Sequence, residues 1–128
     1  MIEKCNSLSF ISFLNFIIKN EATIGLGLDD IKYIANSGKS LSYICGIGCG
    51  NLMAKMAGEA IINGANNEGL YNGILFSVVG GDEMTLYDVQ DVAKLVLNTC
   101  QPDANIVFGA VKDEEYHGTM KIELIGVK

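Results

Sequence analysis

The chain has 128 residues and a formal net charge of -6, with nine basic residues, all lysine, against fifteen acidic ones. One domain of this length buries a core without staples, and the acidic balance argues against a nucleic-acid or anionic-membrane surface. The absence of arginine removes the best bidentate phosphate donor and any arginine-finger role. Cys5, Cys45, Cys49 and Cys100 form no CxxC pair, and His117 stands far from them, so the spacing gives no zinc site. Cys45 and Cys49 read as small buried thiols, and the chain is expected to fold without metal or disulfide in a reducing, cytoplasmic setting.

Residues 3–20 place Ser9, Ser12, Asn15 and Lys19 three or four apart, which draws one wet stripe along a helix. The rest of that helix is apolar: it either meets a second partner or lies deep in one core. The run from Leu8 to Ile18 is far short of the roughly twenty residues of a membrane span, and no cleavage-site pattern follows it. Residues 22–28 form a glycine-punctuated loop. Asp29 and Asp30 then open a short helix ending at Gly38, with carboxylates at its positive end. Gly38-Lys39-Ser40 lacks the earlier glycine of a phosphate loop and follows a helix where that motif needs a strand.

Residues 41–50 alternate as a strand that ends in Gly46, Gly48 and Gly50, and apolar positions at Leu52, Met53, Met56, Ala57, Ala60 and Ile61 make the next helix. The glycine spacing is GxGxG rather than a dinucleotide fingerprint, which favours a tight turn and close helix packing. An apolar strand over residues 73–81 leads to Asp82, Glu83 and Thr85, the start of a helix from Leu86 to Thr99. Pro102-Asp103-Ala104-Asn105 reads as a turn launching a buried strand, Ile106 to Val111, that exits through Asp113, Glu114 and Glu115. The last strand has Met120, Ile122 and Leu124 on one face and Lys121 and Glu123 on the other, with His117 in the turn before it.

This order predicts an α+β (α/β two-layer) fold: a four-stranded sheet with helices packed on one face, preceded by an N-terminal apolar helix. The last two strands are expected to pair as a hairpin. The expected division is 1–40 for the N-terminal helix, loop and short helix, and 41–128 for the α/β domain.

The stretch PDANIVFGAVKDEE resembles the C-terminal domain of FtsZ, the tubulin-like bacterial cell-division GTPase. GGDEMTLYDVQDVAKLV, GIGCGNLMAKMAGEAI and LDDIKYIANSGKSLSYICGIG resemble further segments of that domain, so the likeness covers roughly residues 8 to 128. In that family a separate nucleotide-binding domain holds GTP. The resemblance therefore implies no cofactor in this chain, with GTP reached only through a partner subunit. It also implies a loop whose carboxylates orient the water attacking a neighbour's nucleotide, a task that needs acidic side chains. Against the family pattern Asn-x-Asp-x-x-Asp, Gly25 replaces the asparagine and Gly27 the first aspartate. Asp30 matches, and Asp29 is its neighbour, so these two are the catalytic candidates.

The segment around Phe13 to Ile18 corresponds to the place where the family's domains meet. The resemblance thus implies an exposed face and self-association or docking through Phe10, Phe13, Phe16 and Ile17. The leading function is a polymer-interaction module that docks on the nucleotide face of FtsZ-like subunits or of itself, forming a homo-oligomer without nucleic acid or a membrane span. Two alternatives are a trimeric small-molecule-binding or lyase-type enzyme with sites between subunits, and a degenerate domain acting as an assembly inhibitor.

Overall fold

A computed structural model of the chain describes residues 7–65 and 70–128, with the side chains of residues 7–10, 22 and 23 outside the description. The elements in order are α1 (Ser7–Lys19), α2 (Glu21–Ile24), α3 (Leu28–Ala35), β1 (Leu41–Cys49), α4 (Met53–Ala65), β2 (Tyr71–Gly80), α5 (Leu86–Val96), β3 (Cys100–Lys112) and β4 (Thr119–Val127). The four strands form one mixed sheet in the order β1-β4-β2-β3. This is the α+β fold read from the sequence.

The terminal hairpin is not formed. Strand β3 runs parallel to β2 at the sheet edge, while β4 runs antiparallel to both β1 and β2 between them. Composition explains the swap. A central strand must give every backbone group to a ladder and cover both faces, and β4 has no proline and is buried from Met120 to Val127. Strand β3 carries Pro102, which has no N–H to donate and is tolerated at an edge. Its Pro-Asp-Ala-Asn segment lies within the strand rather than ahead of it: two steps along β2, Tyr71 to Gly73, are matched by five along β3, Cys100 to Asn105.

Side chains of the sheet alternate between two cores. On one face Ile74, Phe76, Val78, Met120, Ile122 and Leu124 pack with Ala57 and Ile61 of α4 and Val89, Val92 and Val96 of α5. On the other, Leu75, Ile125 and Val127 meet Phe13 and Ile17 of α1, Ile24 of α2, Leu26 of the loop after it and Ile34 of α3. The two helices of the later chain thus share one face, and the N-terminal segment covers the opposite one.

Covering that second face changes the reading of Lys121 and Glu123. Expected on the outer side of the last strand, they are 6 % and 7 % exposed. Lys121 Nζ lies 3.7 Å from Glu123 Oε1, and Tyr43 donates its hydroxyl to Glu123 Oε2 at 2.6 Å. Beside them Ser77, paired across the ladder with Glu123, is buried with no hydrogen-bond partner for its Oγ among the described residues. Cysteine use also departs from expectation: Cys49 is exposed, Cys100 is buried, and Cys45 is disulfide-bonded.

The glycines of β1 have the packing role expected of them. A Cβ at Gly48 would overlap the Met53 carbonyl oxygen and lie 2.8 Å from Ala57 N, and one at Gly46 would overlap the Ala57 carbonyl oxygen. Strand and helix therefore touch backbone to backbone. Gly50, with φ of 77°, makes the turn between them. Helix α5 starts on Thr85, whose Oγ1 accepts from Asp88 N at 3.2 Å while Asp88 Oδ2 accepts from Thr85 N at 2.8 Å, a reciprocal cap. No helix among the described residues is long and apolar enough to cross a membrane.

Gly48→Ala is expected to lower unfolding stability by about 2 kcal/mol, read from urea denaturation, because neither clashing partner is a side chain able to rotate away. Lys121→Ala should cost about 3 kcal/mol by leaving Glu123 buried and uncompensated, whereas the double variant Lys121→Met with Glu123→Leu should recover most of that loss. Equal stabilities for the single and double variants would show that the ion pair is not coupled.

Candidate functional site

The loop singled out by the sequence runs from α2 into α3. Asn20 closes α1 by donating Nδ2 to the Phe16 carbonyl at 2.9 Å, and the single turn of α2 ends at Gly25 with φ of 78°, a left-handed conformation that glycine adopts freely. The expected glycine loop therefore contains a helical turn. Ile24 and Leu26 point into the core while Gly25, Leu28 and Asp29 are exposed, so the loop is anchored by two side chains and shows the residues between and after them.

The two candidate carboxylates occupy different situations. Asp30 is half-buried and its Oδ2 accepts the Gly27 N–H at 2.9 Å, satisfying one of the unpaired donors at the start of α3. Asp29, one residue earlier, is exposed at the same positive helix end. Asp30 thus holds the helix start and Asp29 faces outward.

Two residues of β3 that motif reading did not assign a role fix this element in place. Asn105 accepts from Tyr33 Oη at 3.0 Å and donates to Ser37 Oγ at 3.1 Å, tying the end of α3 to the sheet. Gly109 lies under the loop: a Cβ there would overlap the Ile24 carbonyl oxygen and come within 3.1 Å of Leu26 Cγ. The signal was present in the sequence as the polar Asn105 and the glycine interrupting an apolar run, but only the fold brings residues 24–37 against residues 105–109.

The expected docking face on α1 is corrected. Phe13 is 1 % exposed and Ile17 0 %, both inside the second core, and Phe16 is half-buried against it. The side chain of Phe10 lies outside the described residues. With α1 turned so that positions 13 and 17 meet the sheet, Ile11 and Ile18, seven apart, face outward at 56 % and 54 % exposure.

Glu83, Lys39 and Ser40 have structural partners. A cavity of about 290 Å³ between α1 and the sheet is lined by Phe13, Phe16, Asp113, Tyr116, Lys121 and Glu123 among others. Glu83 Oε2 lies 3.1 Å from His117 Nδ1, and its other oxygen accepts the Gly118 N–H, which ties the loop before α5 to the β3–β4 turn. Backbone N–H groups, its own and that of Gly118, hold the Glu83 carboxyl below the usual carboxylate range, with a smaller effect of His117. The Gly38-Lys39-Ser40 segment makes no phosphate cradle, because Lys39 N and Ser40 N both donate to the Lys128 carbonyl, at 2.7 and 3.1 Å. No group of three or more metal-ligating side chains is present among the described residues.

Comparison with known proteins places this architecture. Residues 47–127 match the FtsZ family, C-terminal domain. A mutant FtsZ of M. jannaschii superposes with a TM-score of 0.70 at 19% identity, covering 100% of this chain and 43% of that one. An empty FtsZ dimer from the same organism gives 0.68 at 18% identity, covering 99% and 41%. CetZ2 from Haloferax volcanii, in a GTPγS-bound protofilament, gives 0.61 at 8% identity, covering 92% and 37%. Likeness at such identities is likeness of fold, and this chain spans about two fifths of the length of those structures. With its matched residues forming most of the sheet and both helices of its first face, the chain belongs to the FtsZ family, as that family's C-terminal domain.

Proposed function

We propose that this domain is a polymer-interaction module of a tubulin-like cell-division system, acting in the cytoplasm and docking on the nucleotide-bearing face of a neighbouring FtsZ-like subunit through residues 24–30. The observation that carries this reading is the construction of the loop itself: Leu28 and Asp29 are exposed at the start of α3 while Ile24 and Leu26 lock the loop's base into the core. Rigid presentation of a few exposed residues favours docking, since little ordering remains to be done on contact. Membership in the FtsZ family supports the choice of partner. So does the occurrence of similar folds in an FtsZ dimer and in a CetZ2 protofilament.

In this reading the domain binds no GTP of its own and adds little to hydrolysis. Gly25 and Gly27 offer no side chain to orient a water, and the Asp30 carboxylate is engaged with the Gly27 N–H. The outward residues Ile11 and Ile18 of α1 give it a second apolar contact for self-association.

The test adds the purified chain to a GTP-loaded FtsZ subunit stripped of its own C-terminal domain, following binding and GTP turnover together. Binding is expected, weakened about tenfold by Leu28→Asp, which places a charge where an apolar contact forms. Turnover should stay at its basal rate with both the parent chain and Asp30→Ala. No binding would remove the docking reading, and an acceleration lost in Asp30→Ala would instead assign Asp30 to catalysis.

A further inference from the structure

We infer that strand β3 is the template that sets the position of the docking loop, with Asn105 and Gly109 as its two positioning residues. The chain places them four residues apart on an edge strand, under opposite ends of one segment. Asn105 reaches the far end of α3, accepting from Tyr33 Oη and donating to Ser37 Oγ. Gly109 lies under the segment that leads into α3, the end of α2 and the loop after it, where only the absence of a side chain lets the Ile24 carbonyl and the Leu26 side chain rest on the strand backbone. A segment held at one point pivots; with residues 24–26 seated on the strand and residues 33–37 bonded to it, the stretch between them has a fixed height and tilt. The stretch fixed in this way carries Leu28 and Asp29 on its exposed side.

Past Ser37 the backbone of Lys39 and Ser40 is bonded to Lys128, while the other side chains that pack this segment on the sheet are apolar. Ile34 and Leu26 pack with Leu75 and Ile125, contacts that give stability but little direction, because dispersion and burial act without angular preference. Between residues 24 and 37, direction comes from the polar link at Asn105 and from the steric floor at Gly109. The register irregularity between Tyr71 and Gly73 of β2 fits the same account: it ends at the pair Gly73–Asn105, so the bulge in β3 delivers Asn105 to Ser37 at the position where regular parallel pairing resumes. Gly73 completes the site, since a Cβ there would overlap Ser37 Oγ.

The inference rests on the docking reading for its functional meaning, while its geometry is testable without a partner. Hydrogen exchange of the full chain reads the geometry. Asn105→Ala is expected to speed exchange of the α3 amides about tenfold, and Gly109→Ala that of residues 24–27, with protection of β4 and α4 unchanged. Asn105→Asp, whose carboxylate accepts from both the Tyr33 and the Ser37 hydroxyls, should restore the parent pattern. That rescue is a response that mere loss of stability would not give. Binding to the GTP-loaded FtsZ subunit then reads the consequence: about tenfold weaker for Asn105→Ala, matching the loss of two hydrogen bonds, and restored in Asn105→Asp.

Unchanged exchange over residues 21–37 in Asn105→Ala would overturn the inference, as would parent-level binding by a variant whose loop exchange has risen. Should Gly109→Ala lose protection throughout the sheet, Asn105→Ala and its rescue decide the matter alone. Failure of the parent chain to bind the FtsZ subunit would remove the docking reading and leave the positioning of the loop to the exchange result.

Discussion

Strand β4 is the constraint on which this fold depends. It is hydrogen-bonded on both edges, to β1 and β2, and buried on both faces, so it belongs to two cores at once. Met120, Ile122 and Leu124 serve the core under α4 and α5; Ile125 and Val127 serve the core under α1 and α3. Full burial of an aliphatic side chain is worth roughly 1.5–3 kcal/mol, so the sum along this strand outweighs any single contact elsewhere. Because the last segment of the chain holds the middle of the sheet, β1 and β2 are joined only through it, and both helical layers rest on it.

The same centrality accounts for the buried charges. Side chains alternate along β4, so placing Ile122 and Leu124 in one core forces Lys121 and Glu123 into the other. There they are desolvated, and the cost is offset by their mutual attraction and by the Tyr43 hydroxyl. Ser77, on the adjacent strand, sits in the same polar strip. An apolar strip would pack as well, which makes this the part of the second core that hydrophobic pattern alone does not explain.

Strand β3 has the complementary position. An edge strand is free to accept Pro102, to bulge, and to carry a glycine that another segment covers. Those liberties let the loop between α2 and α3 lie directly on the sheet, and the exposed residues Leu28 and Asp29 follow from that seating. In the same loop the resemblance puts an asparagine and an aspartate where Gly25 and Gly27 stand, and Gly25 has a backbone reason. Gly25 takes a positive φ at the end of α2. Gly27 gives its N–H to Asp30, and a Cβ on it would crowd the Glu21 carboxylate.

Local signals were enough to find the elements apart from the single turn of α2 and the first residues of β3. Period-two alternation gave β1 and β4, Asp82, Glu83 and Thr85 gave the start of α5, and the glycines of β1 announced a helix packed against backbone. The PDAN-to-DEE stretch identified the family, and the alignment at Asp30 located the loop. Pairing and facing were decided elsewhere. Pro102 is compatible with an edge position for β3, but whether β4 forms a hairpin with β3 or inserts beside β2 depends on contacts between residues far apart in sequence. Which side of α1 is buried was equally open, because that helix is apolar around most of its circumference, and only the sheet beneath it selected Phe13 and Ile17 over Ile11 and Ile18. Sequence by itself determined most of the elements, the family and the place of the loop, since those are written in short-range spacing. Tertiary structure decided the strand order, the buried ion pair and the seating of the loop on Asn105 and Gly109, since each requires two distant segments to meet.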